Sequence, residues 1–238
     1  MSNNNFPATS RRLFLGLAGG MMTGALISAS GFVRAENEDE PADIQCRLTP
    51  RETEGPFPLR EILNRPELVR RDLTEGQPGV PLALQLKVVD VNNACRPIEG
   101  AGVYVWHCDR DGHYSGYGDS RGETFCRGLQ FADGQGVARF NTLYPGWYRG
   151  RVSHIHFQVY LEDPAGSRAT VTSQLAFPDT VTQAVYNSRG YADRGQNASV
   201  SSVATDPIFA DGSQLQVAAI SGNPVAGYVA RLVVGIAA

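Results

Sequence analysis

The sequence predicts a mainly β protein, an antiparallel β-sandwich with long irregular loops. Short stretches alternate between apolar and polar residues, which is the two-residue period of a strand with one buried face. Gly- and Pro-containing turn signals separate them at short intervals. Beyond residue 48 no long amphipathic helical pattern competes with them.

Taken in order, residues 1–35 read as an export signal. Ser10-Arg11-Arg12-Leu13-Phe14-Leu15 is a twin-arginine pattern, an apolar Gly- and Ala-rich run follows, and Val33-Arg34-Ala35 is a small-x-small cleavage site. The expected location is periplasmic or extracellular. Removal of the three signal arginines leaves 18 basic against 24 acidic residues, a net charge of −6. Such a chain offers no basic surface for nucleic acid, and no later stretch is long and apolar enough to span a membrane. Residues 36–47 are acidic and polar and read as a flexible segment, and residues 48–238 as one domain.

Cys46 to Pro81 is punctuated by Pro, Gly and charge and reads as an extended arm, with a short helix near Glu61 to Val69. Leu82 to Val91 alternates almost completely and is a strand. Ala101 to Trp106, Arg127 to Phe131 and Val137 to Asn141 follow as strands, the last two joined by Asp133-Gly134-Gln135-Gly136. Ala169 to Phe177 is a further strand, and a short helix is expected near Thr180 to Asn187. Phe209–Ala210, Gln214 to Ser221 and Gly227 to Val234 read as closing strands.

The strand His154 to Leu161 carries the chemistry. His154, His156, Gln158 and Tyr160 share one face, and Ile155, Phe157 and Val159 the other. The two imidazoles therefore stand side by side, a geometry that suits one metal ion. No carboxylate lies beside the pair in sequence, which argues against the two-His, one-carboxylate ferrous site. Zinc takes Cys, His and carboxylate. Tyrosines precede the pair, and phenolate oxygen is a hard donor that suits ferric iron. A bound trivalent cation also lets a phenol ionise far below its usual pKa near 10.

The motifs around this strand resemble the intradiol ring-cleavage dioxygenases, the catechol and protocatechuate dioxygenases that use non-haem ferric iron. The resemblance rests on Trp106 ending a strand, Gly112-His113-Tyr114, Pro145-Gly146-Trp147-Tyr148 and Arg151-Val152-Ser153-His154-Ile155-His156-Phe157. Thr53-Glu54-Gly55-Pro56-Phe57 is similar to the family's N-terminal active-site segment. The resemblance implies a β-sandwich holding non-haem Fe(III) on Tyr114, Tyr148, His154 and His156. It implies that Tyr148 leaves the metal when a catechol-type substrate binds and takes up a substrate proton. It implies that Arg151 stabilises negative charge on the ring and that Gln174 stands near the substrate. Thr53, Gly55 and Pro56 would line the pocket. Dioxygen would be the second substrate and a cis,cis-muconate-type diacid the product. His107 and His113 match no ligand position, and Tyr117 and Tyr144 lack the motif spacing. The alternative is an exported β-sandwich that binds a ligand or carbohydrate and carries a non-catalytic metal site. Iron content and catechol oxidation separate the two.

Four cysteines, Cys46, Cys95, Cys108 and Cys126, allow three pairings. Spacing favours Cys108–Cys126, which would clamp the Gly-rich loop carrying Tyr114 and leave Cys46–Cys95. The other two connectivities stay open, as do buried free thiols, because a chain exported folded meets an oxidising compartment only after folding.

Overall fold

Among the described residues nine strands form two sheets. β1 (Pro81–Asp90), β2 (Arg96–Pro97), β5 (Val137–Leu143), β8 (Ala219–Asn223) and β9 (Gly227–Ile236) make one. β3 (Gly102–Trp106), β4 (Arg127–Phe131), β6 (His154–Tyr160) and β7 (Val171–Ala176) make the other, in the order β4-β3-β6-β7. The computed structural model describes residues 46–166 and 168–238. The twin-arginine signal and most of the acidic segment after it lie outside the described residues. No helix among the described residues is long and apolar enough to cross a membrane.

The alternation read in β1 becomes its inner face. Leu82, Leu84, Leu86 and Val88 are buried and meet Val103 and Val105 of β3 and Ile155, Phe157 and Val159 of β6 in one core. Pairing between these strands is antiparallel except that β1 and β9 run parallel, from Leu82 opposite Tyr228 to Asp90 opposite Ile236. β9 reaches that position from the hairpin with β8, where the Asn223 side chain accepts bonds from the Val225 and Ala226 amides.

Three expected elements change. The helix near Glu61 to Val69 is two short 3-10 turns, Arg60–Asn64 and Pro66–Leu68. Pro66 has no amide hydrogen to continue the first turn and starts the second. Phe209–Ala210 and the first half of Gln214 to Ser221 form turns rather than strands. There Asp206 and Ser213 accept local backbone bonds in place of a ladder. The helix after β7 is present as α1 (Asp179–Tyr186) and buries Val185 and Tyr186.

The cysteines also correct the expectation. Cys46 and Cys95 are bridged, but Cys108 and Cys126 are both free and buried. Backbone pairing of His107 with Cys126 turns the two side chains into different clusters. Cys108 packs with Trp106 and Tyr114, and Cys126 with Phe125 and Leu143. The bridge that does form spans a separation of 49 residues. Closing a loop of that size stabilises the fold by about 4 kcal/mol in the chain-entropy view. It ties down the start of the arm. From there the arm bonds Thr49 N to Gly235 O at 2.9 Å and Glu52 N to Thr172 O at 2.9 Å, and so crosses from one sheet to the other.

Candidate metal centre

Every residue of β6 is buried, on both faces. The face opposite the core is covered by the arm and by two loops, 107–117 and 144–153. The loops touch backbone to backbone. Gly146 N donates to Asp109 O at 2.8 Å. A Cβ on Gly146 would stand 2.5 Å from the carbonyl oxygens of Asp109 and Arg110. A Cβ on Gly112, where φ is +89°, would stand 2.6 Å from Trp147 O. Glycine at both positions lets the two loops approach, and the loops carry Tyr114 and Tyr148.

Tyr114, Tyr148, His154 and His156 meet there. The ring centroids of Tyr114 lie 5.9 Å from Tyr148 and 6.2 Å from His156. Those of Tyr148 and His154 are 5.5 Å apart. His154 Nδ1 lies 2.6 Å from Val152 O. A carbonyl only accepts, so Nδ1 carries the proton and Nε2 presents a lone pair. That Nε2 stands 3.1 Å from His156 Nε2 and 3.2 Å from the Tyr148 hydroxyl. Two nitrogens this close repel unless a proton or a cation lies between them. Donors about 2.1 Å from one cation, at right angles, stand about 3 Å apart. Trp106, paired with His156 across the β3–β6 ladder, stacks on its ring at 4.9 Å and 7° and sets its orientation.

The electrostatics fit a cation as well. Burial pushes His154 down to about 3, with Arg151 adding to the effect. Burial, then the His154 neighbour, holds His156 well below the usual histidine range. Both imidazoles are therefore neutral at pH 7. Burial raises the Tyr114 phenol well above 10, and it raises Tyr148 while the Arg151 charge partly offsets it. The Tyr114 hydroxyl is buried without a hydrogen-bond partner. A buried orphan polar atom is costly and calls for a ligand. Among the described residues no three His, Cys, Asp or Glu side chains cluster, and the oxygen donors standing beside the two imidazoles are the Tyr114 and Tyr148 phenols.

Arg151 reaches the same cluster. Its Nη1 lies 3.4 Å from His154 Nε2, and its Nη2 donates to Gln174 Oε1 at 2.6 Å. Gln174, opposite His156 on β7, donates to Thr53 O at 2.9 Å. Thr53 thus contributes its carbonyl, while its hydroxyl accepts from Gly55 N at 3.1 Å. Gly55 lies against His156, since a Cβ there would be 3.3 Å from Cε1. Pro56 is exposed at the rim.

Further residues complete the site, and of these Arg127 and Asp206 drew no functional reading from the sequence. Phe57 stacks on Tyr114 at 4.4 Å. Arg127 is fully buried, and its guanidinium donates to Phe57 O, Tyr104 Oη and both oxygens of Ser115. It thereby ties the arm, β3 and the Tyr114 loop together. Asp206 is fully buried against Arg151. Nothing in the sequence around Asp206 marks a partner 55 residues away. His107 lies outside the cluster, bonded to Cys108 O at 2.7 Å and Thr142 Oγ1 at 2.8 Å. His113 is exposed at 71%. Tyr144 sits in the main core with its hydroxyl on Thr182, and Tyr117 meets the edge of Phe57.

A family model described as "Dioxygenase" matches residues 54–188. A catechol 1,2-dioxygenase of Pseudomonas sp. (strain EST1001) is 32% identical over 112 residues, which are 46% of this chain and 36% of that protein. The match thus spans about a third of that relative's length. An intradiol ring-cleavage dioxygenase from Tetranychus urticae superposes with a TM-score of 0.70 at 26% identity, over 80% of this chain and 95% of that one. The dioxygenase domain of a dioxygenase carbohydrate-binding protein fusion from Streptomyces sp. SirexAA-E superposes with a TM-score of 0.54 at 26% identity, over 80% and 98%.

Proposed function

The chain belongs to the dioxygenase family, and on that premise we propose that it cleaves a catechol-type ring between its two oxygen-bearing carbons, using dioxygen and a non-haem ferric iron. The observation that carries the proposal is the meeting of two phenols and two neutral imidazoles, with His154 Nε2 and His156 Nε2 3.1 Å apart and the Tyr114 hydroxyl buried without a partner. Tyr114, Tyr148, His154 and His156 would hold the ion. When bound, ferric iron would supply Lewis acidity toward the catechol oxygens and so make the ring reactive toward dioxygen.

The chain's own residues then have separable tasks. The Val152 carbonyl fixes the His154 tautomer, so Nε2 always presents its lone pair. Tyr114 is the enclosed phenol, 4% exposed under the Phe57 ring, and has nowhere to swing. Tyr148 is only partly buried and lies near Arg151, so its phenolate, formed when a cation is bound, would be the one free to move and take up a catechol proton. Arg151 presents Nη1 toward the cluster, where its charge opposes negative charge building on the ring. Gln174 holds Nη2 of Arg151 and is itself held by Thr53 O. Both atoms of dioxygen enter the product, a cis,cis-muconate-type diacid, so no external reductant is consumed. We propose as well that the chain leaves the cytoplasm folded by the twin-arginine route, on the strength of Arg11-Arg12 and the apolar run after them.

The test is direct. Protein produced with ample iron should hold about one iron per chain and absorb visible light through phenolate-to-iron charge transfer. It should take up oxygen with catechol, protocatechuate or hydroxyquinol and release a muconate-type diacid. A colourless zinc protein that takes up no oxygen with any of them refutes the proposal.

A further inference from the structure

We propose that Asp206 is a positioning residue for the ring-cleavage reaction, fixing the Arg151 guanidinium so that its Nη1 edge faces the ligand cluster; the proposal rests on the function argued above. Asp206 is 0% exposed and Arg151 side chain 12%. Arg151 Nε donates to Asp206 Oδ1 and Oδ2, both at 3.0 Å. The carboxylate is itself pinned. Oδ2 accepts from Val152 N at 2.8 Å, and Oδ1 accepts from Ile208 N at 2.9 Å. The Phe209 ring of the same turn lies 5.9 Å from Arg151 Cζ.

A guanidinium is planar, so fixing one edge sets the direction of the others. With Nε held by Asp206, Nη2 meets Gln174 Oε1 at 2.6 Å and Nη1 points toward His154 Nε2 at 3.4 Å. The Asn197 side chain holds Arg151 O at 2.7 Å, so the backbone at this point is fixed too. Without the carboxylate, only Gln174 would hold the fork, and Nη1 could turn away. Asp206 makes no hydrogen bond to Tyr114, Tyr148, His154 or His156; it bonds the Arg151 side chain and the Val152 and Ile208 amides, and the double-variant comparison separates an effect through Arg151 from one through the Val152 backbone.

Asn at 206 keeps the shape but loses the charge, and its NH2 would face an N–H donor where an oxygen now accepts. Iron-loaded wild type, Asp206→Asn, Arg151→Lys and the double variant are compared in steady state. Asp206→Asn should lower kcat by about tenfold with KM changed by less than about threefold, because the misdirected charge acts on the transition state. In the Arg151→Lys background the same change should alter kcat by less than about threefold, since the residue it acts through is gone. A second readout needs no activity. In iron-free protein labelled with 15N-arginine, the Arg151 Nε–H signal, assigned by its loss in Arg151→Lys, should shift and exchange faster in Asp206→Asn. A kcat within about threefold of wild type, an equal loss in both backgrounds, or an unchanged Nε–H signal overturns the proposal. Wild-type protein inactive on every catechol refutes the ring-cleavage reading instead, and with it the catalytic benefit claimed for Asp206.

Discussion

Lowering the pH from 7 to 5 should strongly destabilise the iron-free protein. His107, His154 and His156 are fully or almost fully buried. Burial pushes His107 down to about 4 and His154 to about 3, and lowers His156 as well. In the unfolded chain each titrates near 6.5. Below that pH the unfolded state binds protons that the folded state refuses, so stability falls as pH drops from 6.5 toward the folded values. Between pH 7 and 5 each histidine contributes a loss of about 2 kcal/mol, and the three together about 6 kcal/mol. That is comparable to the whole stability of an ordinary domain. The window lies above ordinary carboxylate titration, so acids contribute little to it. Urea unfolding of iron-free protein at the two pH values measures the difference. His107→Gln should remove about a third of it, provided the glutamine keeps a bond to Thr142 Oγ1. Equal unfolding midpoints at pH 7 and 5 would refute the reasoning, because neutral buried imidazoles cannot coexist with pH-independent stability.

Two further outcomes are expected. Tyr148→Phe should keep appreciable iron but slow turnover by about a hundredfold, whereas Tyr114→Phe, which empties the enclosed position, should lose more iron and most of the visible absorption; metal analysis and single-turnover kinetics compare them, and equal losses would show the assigned roles are wrong. Replacing Arg11 and Arg12 together by Lys should leave the protein in the cytoplasm, as read by cell fractionation, and continued export at wild-type level would remove the twin-arginine assignment.

Much of this molecule is written in short-range pattern. The alternation at Leu82 to Val91 is enough to make β1, because a two-residue period lets only one face be buried. The same rule puts His154 and His156 on one face, and the motif spacing named Tyr114 and Tyr148 as their companions, which the fold brings beside them. What the chain does not show locally is which distant segments close over that face. The cysteine pairing depended on which way Cys108 and Cys126 point once His107 pairs with Cys126, a matter of register between strands. The stack of Phe57 on Tyr114 depends on the path of the arm, and the grip of Asp206 on Arg151 on a turn that follows β7 and α1. Strand period is a property of neighbouring residues and donor chemistry a property of each side chain, so the sequence by itself determined them. Contacts between segments tens of residues apart are chosen by the packing of the whole sandwich, and only the tertiary structure decided what encloses the four ligand-type side chains and what aims Arg151 at them.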